Sequence, residues 1–138
     1  MTELLLQITG VGLLLLAAIH LSFYRFFDWE TELPRLSLIN RQMMTVHTFF
    51  IAIVLTLMGV LLISSASLLL HSELGRRLCL GLAVFWALRL YCQLFWYSSR
   101  LWRGKRLETT VHLIFTLLWL WLTTFFTYLG IMNPIQVP

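Results

Sequence analysis

The sequence predicts an all-α integral membrane protein with four membrane-spanning helices. Of its 138 residues, 59% are hydrophobic and only 12% are charged, whereas about a quarter of the residues in an average soluble domain are charged. Four apolar stretches each reach the length of about 20 residues that a helix needs to cross a bilayer. This composition disfavours a soluble enzyme, a nucleic-acid-binding module and a disordered linker. We therefore expect the chain to lie in a lipid bilayer and to bind no nucleic acid.

The predicted spans cover residues 4–24, 43–66, 78–97 and 110–129, within a single membrane domain of residues 1–138. They are too long for membrane β-strands, which take about 10 residues and alternate in polarity. The first span opens with Glu3 and lacks a small-residue cleavage site, so we expect it to be retained and not removed as a signal peptide. The short connections favour antiparallel neighbours and an up-down four-helix bundle.

Basic residues in the connections predict the orientation. Seven basic residues lie in the first and third connections and two in the middle one: Arg25, Arg35, Arg41, Arg100, Arg103, Lys105 and Arg106 against Arg76 and Arg77. Because cytoplasmic loops of membrane proteins are enriched in Lys and Arg, the first and third connections are predicted to be cytoplasmic. Both termini would then lie outside, and we expect the bacterial inner membrane as the location.

Five polar residues in or near the apolar spans are the candidate functional residues: His20, His47, Arg89, Gln93 and His112. Since successive spans reverse direction, the histidines and Gln93 should lie at a similar depth on the cytoplasmic side. Arg89 falls near the middle of its predicted span, where a cation costs about 2.5 to 3.5 kcal/mol. Its partner could be a backbone carbonyl, a Gln or Tyr side chain, a loop carboxylate, an anionic ligand or interfacial water reached by snorkelling.

A short repeat links the second and fourth spans. Thr45-Val46-His47 recurs as Thr110-Val111-His112. If the chain consists of two related hairpins, a pseudo-twofold axis would run along the membrane normal. In an up-down bundle, His47 and His112 would then face each other from diagonal helices.

The histidine pattern suggests a cofactor for electron transfer. Two facing histidines are what axial ligation of haem b requires, and Arg89 could pair with a haem propionate. Alternatively, His20, His47 and His112 could bind one zinc, iron or copper ion. The structural alternative is that each histidine bonds to a neighbouring helix or to water.

Two other hypotheses need no cofactor. The chain could be an accessory subunit of a larger membrane complex or a homo-oligomer, with Arg89 and Gln93 bonded to protein. It could also bind a lipid or a quinone whose headgroup meets Arg89. The sequence contains no Gly-rich phosphate loop and no nucleophile with a paired base, so it does not predict an enzymatic reaction.

A resemblance supports the fold. The pair Arg41-Gln42 before the second span and the run Phe85-Trp86-Ala87-Leu88-Arg89-Leu90-Tyr91-Cys92-Gln93, followed by Tyr97, resemble a pattern in small four-helix bacterial membrane proteins of no known activity. The resemblance covers residues 28–97, about half of the chain. It implies the four-helix fold and the membrane location, and no particular chemistry.

Overall fold

A computed structural model describes residues 1–132, and positions 133–138 of the predicted domain lie outside the described residues. Within that range the chain is helical almost throughout and has no β-strand. Its α-helices are α1 Thr2–His20, α2 Phe23–Phe26, α3 Trp29–Glu32, α4 Leu38–Ser64, α5 Ala66–His71, α6 Glu73–Tyr91 and α7 Arg106–Met132. Two 3₁₀ turns cover Leu33–Arg35 and Ser99–Leu101, and a π-helical turn covers Cys92–Trp96.

Four helical segments of the described chain are long and apolar enough to cross a membrane: Thr2–Leu21, Leu38–Ser64, Glu73–Trp96 and Arg106–Ile131. Large apolar side chains point away from the protein along them; Leu57, Leu88 and Leu113 are each more than half exposed. Such surfaces match the acyl chains of a bilayer. The prediction of an all-α chain with four candidate spans is confirmed, and these spans indicate an integral membrane protein.

The helix boundaries differ from the predicted spans by a few residues. α1 ends at His20 because the N–H groups of Leu21 and Ser22 bond to the carbonyls of Ala18 and Ile19, three residues earlier, which tightens the last turn. α4, α6 and α7 begin earlier than the apolar runs at 43, 78 and 110. Polar residues extend these helices beyond the apolar runs, which a count of hydrophobic residues does not detect.

The chain divides into two compact units, Met1–Ala66 and Ser67–Pro138. In the first unit, α1 packs against α4 through a close approach of two glycines. A Cβ on Gly10 would lie 2.8 Å from the Gly59 carbonyl oxygen, and a Cβ on Gly59 would lie 2.8 Å from the Gly10 oxygen. Small residues at such crossings let helix backbones approach closely. Leu6, Leu13 and Leu62 are buried in the same unit.

The segment between α1 and α4 folds into short helices and turns. Asp28 has a φ of 48°, a left-handed conformation that Asp tolerates better than most residues. The 3₁₀ turn that follows contains Pro34. An ion pair joins Arg35 to Glu32, with Nη1 2.9 Å from Oε1. The predicted first connection is thus an ordered segment at the ends of both helices.

In the second unit, α6 packs against α7. Ser72 caps α6, since its Oγ accepts a hydrogen bond from the Gly75 N–H at 3.0 Å; such caps satisfy otherwise unpaired helix N–H groups. Arg76 and Arg77 lie inside α6 and each pairs with Glu73 at 3.0 Å. The sequence placed both arginines in a loop, and these i,i+3 and i,i+4 pairs help to explain the earlier helix start.

Tryptophans occupy the contact between α6 and α7. Trp86 is 1% exposed and Trp119 is 4% exposed, and their rings stack with centroids 5.2 Å apart and planes 10° from parallel. Nearer the end of α7, a Cβ on Gly130 would lie 2.5 Å from the Leu80 side chain. This packing brings the end of α6 beside the beginning of α7, where three of the candidate residues lie.

Candidate functional site

The structure brings Arg89, Gln93 and His112 together in the second unit. Arg89 Nη1 donates to Gln93 Oε1 at 3.3 Å, and Gln93 Nε2 lies 2.8 Å from His112 Nδ1. Arg89 and Gln93 are one helical turn apart along the chain, whereas His112 comes from α7. Gln93 is buried, at 8% exposure, and joins the two helices. We call these three residues the α6–α7 polar cluster.

The direction of the hydrogen bonds determines the protonation pattern of the cluster. A guanidinium group only donates, so the Gln93 oxygen is its acceptor. The amide nitrogen of Gln93 must then donate to His112 Nδ1. In a neutral imidazole the proton therefore lies on Nε2. His112 accordingly contributes one further N–H group to the cluster.

A π-helical turn positions Gln93. Residues Cys92–Trp96 continue α6 with wider turns, a geometry that is frequent at functional sites. Gln93 is the buried residue of this turn. The turn ends at Tyr97, which has an extended backbone. The wider turn is thus the part of the chain from which the Gln93 amide contacts His112 of α7.

Trp102 packs on His112. The indole and imidazole centroids are 3.8 Å apart and their planes are 9° from parallel. The Thr109 hydroxyl donates to the Trp102 carbonyl at 2.7 Å, which ties the third connection to the first turn of α7. His112 is thus restrained by Gln93 at one nitrogen and by an indole across its face.

Arg89 lies seven positions before the end of the third candidate span, Glu73–Trp96, and so nearer to that end than the sequence suggested, because the helix starts at Glu73. The guanidinium carbon lies 4.9 Å from the Trp119 ring centroid and 5.8 Å from that of Tyr97, close enough for cation–π attraction. No carboxylate of the described residues forms an ion pair with it.

Two buried donors next to the cluster lack acceptors. The indole Nε1 atoms of Trp86 and Trp119 are buried and have no hydrogen-bond partner within the described part of the chain. Buried polar groups without a partner are rare in native structures, and a buried Trp N–H usually finds an acceptor. Trp86 precedes Arg89 by three residues on α6, and Trp119 lies directly under the guanidinium.

His20 and His47 belong to the first unit and are bonded within their own helices. His20 Nδ1 lies 2.8 Å from the Leu16 carbonyl, and His47 Nδ1 lies 2.8 Å from the Met43 carbonyl. His71, which is not one of the candidate residues, makes the same type of bond to the Ser67 carbonyl at 2.9 Å. The bond therefore does not distinguish a ligand histidine from a structural one.

The structure gives no support to a three-histidine metal site. Among residues 1–132, no group of three or more His, Cys, Asp or Glu side chains could hold a metal ion. The cluster also does not suit His112 as a haem ligand through Nε2, because Gln93 leaves the proton on that nitrogen. Haem b, and a metal ion bound by His20, His47 and His112, have no support among the described residues and stay predictions.

The sequence spacing of two neighbouring tryptophans, Trp86 and Trp119, is enough to predict that they lie near the cluster. Trp86 precedes Arg89 by three residues, and Trp119 follows His112 by seven, so each shares a helical face with a candidate residue. The rings of Trp86 and Trp119 stack on each other, so each residue lies on the face of its helix that meets the other helix. Trp102 could not have been found this way, because it lies in a connection whose path depends on the turns around Gly104.

Comparison with known proteins adds no family or relative: no family model, no curated protein and no solved structure matches the chain.

Proposed function

We propose that this chain is a small membrane protein that binds the oxygen-bearing headgroup of a lipid or a quinone at the α6–α7 polar cluster. The observation that carries the proposal is the set of N–H groups without an acceptor among residues 1–132, on Arg89 and on the stacked indoles of Trp86 and Trp119. A guanidinium has five N–H groups, and Gln93 accepts from one of its nitrogens. The indole N–H groups of Trp86 and Trp119 also have no acceptor.

The chemistry of such a site favours an acceptor without its own donors. A phosphate or a quinone carbonyl accepts hydrogen bonds and does not donate, and Arg is well suited to both because its N–H groups lie in one plane. Gln93 keeps the guanidinium at the end of α6, and Trp119 lies beneath it. The ligand would therefore bind to a guanidinium group whose orientation is already restricted by Gln93 and Trp119.

The depth of Arg89 agrees with a headgroup ligand. Trp96, where the third candidate span ends, follows Arg89 by seven positions. At a rise of 1.5 Å per residue this is about 10 Å of helix. A headgroup bound there would lie just inside the interface, with its hydrocarbon part in the bilayer.

For the architecture we propose an antiparallel up-down bundle of two related hairpins in the bacterial inner membrane, with the first and third connections cytoplasmic and both termini outside. The helix lengths support a repeat: α1 and α6 each have 19 residues, and α4 and α7 each have 27. In both copies of the repeated tripeptide the threonine hydroxyl donates to the carbonyl of an arginine four residues earlier, Thr45 to Arg41 and Thr110 to Arg106.

The binding proposal is tested by identifying what the purified protein retains. The wild-type protein, extracted in a mild detergent, should carry a lipid or a quinone that mass spectrometry detects in a fixed ratio to protein. Arg89→Gln removes the cation and should lower the retained amount about tenfold, which corresponds to roughly 1.4 kcal/mol of binding free energy.

Arg35→Gln is the matched control, since Arg35 is exposed and paired with Glu32. It should leave retention unchanged. Equal retention by wild type and Arg89→Gln, or no retained ligand in the wild type, would contradict the proposal. A quinone and an anionic lipid differ in mass, so the same spectra decide between them.

Haem-dependent electron transfer is the second candidate. It rests on the histidine pattern of the sequence. The Nδ1 atoms of His20 and His47 bond to backbone carbonyls and so leave Nε2 free to coordinate iron, an arrangement that His71 shares. An absorption spectrum of protein produced with ample haem tests it. A Soret band lost in His47→Ala would support this candidate, and a spectrum without that band would exclude it.

An accessory role is the third candidate. A carboxylate or carbonyl from another membrane subunit, or from a second copy of the chain, could accept the spare N–H groups of Arg89. Co-purification in mild detergent tests it: a partner lost in Arg89→Gln and kept in Arg35→Gln would favour this role over a small ligand.

A further inference from the structure

A cavity lies in the first unit, and none of the five candidate functional residues lines it. Its volume is about 550 Å³, within the range of cavities that bind small ligands. Residues of the first connection and of the first turns of α4 line it, among them Tyr24, Trp29, Glu30, Leu33 and Arg41. We call it the α4 interfacial cavity.

The cavity contains one cationic and one anionic residue. Arg41 and Glu30 both line it, yet they form no ion pair with each other or with another described residue. The neighbouring charges, Arg35 and Glu32, are paired with each other and do not line the cavity. Two unpaired opposite charges in one cavity are complementary to a ligand that carries both charges.

The cavity adjoins an apolar recess. A smaller recess of about 150 Å³ shares Tyr24, Trp29 and Thr45 with it and is otherwise lined by side chains of α1 and α4, including His20 and Phe49. Only a small part of its surface is polar. A ligand that fills both would have a charged end at the interface and an apolar end along the helices, which is the form of a membrane lipid.

The geometry points to a phospholipid with a phosphoethanolamine headgroup as the occupant of the α4 interfacial cavity. Its phosphate would bind Arg41, for which phosphate is a favoured partner. Its primary ammonium would bind Glu30, and the rings of Tyr24 and Trp29 would add cation–π attraction. This inference does not depend on ligand binding at the α6–α7 polar cluster, since the two sites share no residue.

Lipid competition in nanodiscs tests the inference. The full chain is reconstituted with equal amounts of phosphatidylethanolamine and phosphatidylglycerol, and the lipids that remain bound are measured by native mass spectrometry. The wild type should retain phosphatidylethanolamine above its bulk share. Arg41→Gln should reduce that excess about tenfold, because the phosphate loses its cation.

Glu30→Gln should increase the retention of phosphatidylglycerol, the anionic lipid. Without the carboxylate, Arg41 remains and the preference should shift to phosphatidylglycerol. A misfolded variant would lose both lipids, so this exchange of preference separates a binding effect from unfolding. Arg35→Gln and Glu32→Gln are the matched controls and should behave as the wild type.

The inference is overturned if the wild type retains both lipids at their bulk shares, or if Glu30→Gln and Arg41→Gln keep the preference for phosphatidylethanolamine. A further arm uses free phosphoethanolamine with the lipid-free protein in detergent. Binding as tight as that of the lipid, with the same dependence on Arg41 and Glu30, would assign the cavity to a soluble headgroup and overturn the lipid assignment. Much weaker binding would support the lipid.

Discussion

Gln93 connects two side chains that come from different helices. Its oxygen accepts from Arg89 and its nitrogen donates to His112, while the side chain itself is buried. Gln93→Leu would leave the His112 acceptor without a donor. We expect the free energy of unfolding to fall by about 1 to 3 kcal/mol, the cost of leaving a buried polar group unpaired.

Gln7→Leu is the control for that variant, because Gln7 is half-buried on α1 and its side chain forms no hydrogen bond with any residue of the described range 1–132. Equilibrium unfolding in mixed micelles measures both variants. A loss of stability confined to Gln93→Leu would agree with the bridging role. Equal effects of the two substitutions would contradict it.

Two substitutions of Trp86 distinguish a role in ligand binding from a role in packing. Phe at this position keeps an aromatic ring against Trp119 and removes an N–H group that has no partner. Trp86→Phe should therefore cost much less stability than Trp86→Ala, for which about 3 to 5 kcal/mol is expected. If the indole N–H binds the headgroup, Trp86→Phe should nevertheless retain less ligand, as measured by mass spectrometry. Unchanged retention would exclude that contact.

Single residues also show what spacing can and cannot predict. The four-residue separation of Arg89 and Gln93 predicts that they share a helical face, and the structure shows them in contact. The sequence placed His112 in the same pocket without identifying Gln93 as its partner. The contact of Trp102 with His112 depends on the path of a connection, which hydrophobic periodicity does not describe.

Helix crossings are tested by glycine substitutions. A methyl group on Gly10 would lie 2.8 Å from the Gly59 oxygen and 2.8 Å from Ile63 Cγ1, whereas one on Gly12 would meet nothing within 4 Å. Gly10→Ala should therefore separate α1 from α4 and cost about 1 to 3 kcal/mol. Gly12→Ala should leave stability unchanged or raise it by up to about 1 kcal/mol, since Ala favours helix over Gly.

The same unfolding measurement compares the two glycine variants. Greater stability of Gly10→Ala than of Gly12→Ala would contradict the close α1–α4 approach. Gly81→Ala offers a second control on α6, where the added methyl group also meets nothing within 4 Å.

Helix ends were predicted less well than helix existence. Long apolar runs predict four spans because a bilayer crossing requires about 20 residues. The ends depend on local bonds: the Ser72 cap and the pairs of Glu73 with Arg76 and Arg77 extend α6 beyond its apolar run. At the other end, the π-helical turn at Cys92–Trp96 has no sequence signal comparable to a run of apolar residues.

Membrane orientation concerns the whole molecule and can be measured directly. In a background of Cys79→Ala and Cys92→Ala, a single cysteine is introduced as His71→Cys or as Lys105→Cys. The excess of basic residues in the third connection predicts that Lys105→Cys reacts with a membrane-impermeant maleimide only after the cells are permeabilised. His71→Cys should react in intact cells, and the reverse pattern would contradict the proposed orientation.

In the proposed function, a ligand oxygen accepts from Arg89 and from the unpaired indole N–H groups of Trp86 and Trp119. The most direct measurement follows the indole N–H resonances of Trp86 and Trp119 by ¹H–¹⁵N NMR, assigned with Trp86→Phe and Trp119→Phe, during separate titrations with a short-chain quinone and a short-chain anionic phospholipid. Binding at the cluster should make one of these ligands shift both resonances in the wild type and neither in Arg89→Gln. Indole resonances that stay unchanged with both ligands, or that shift equally in Arg89→Gln, would contradict it.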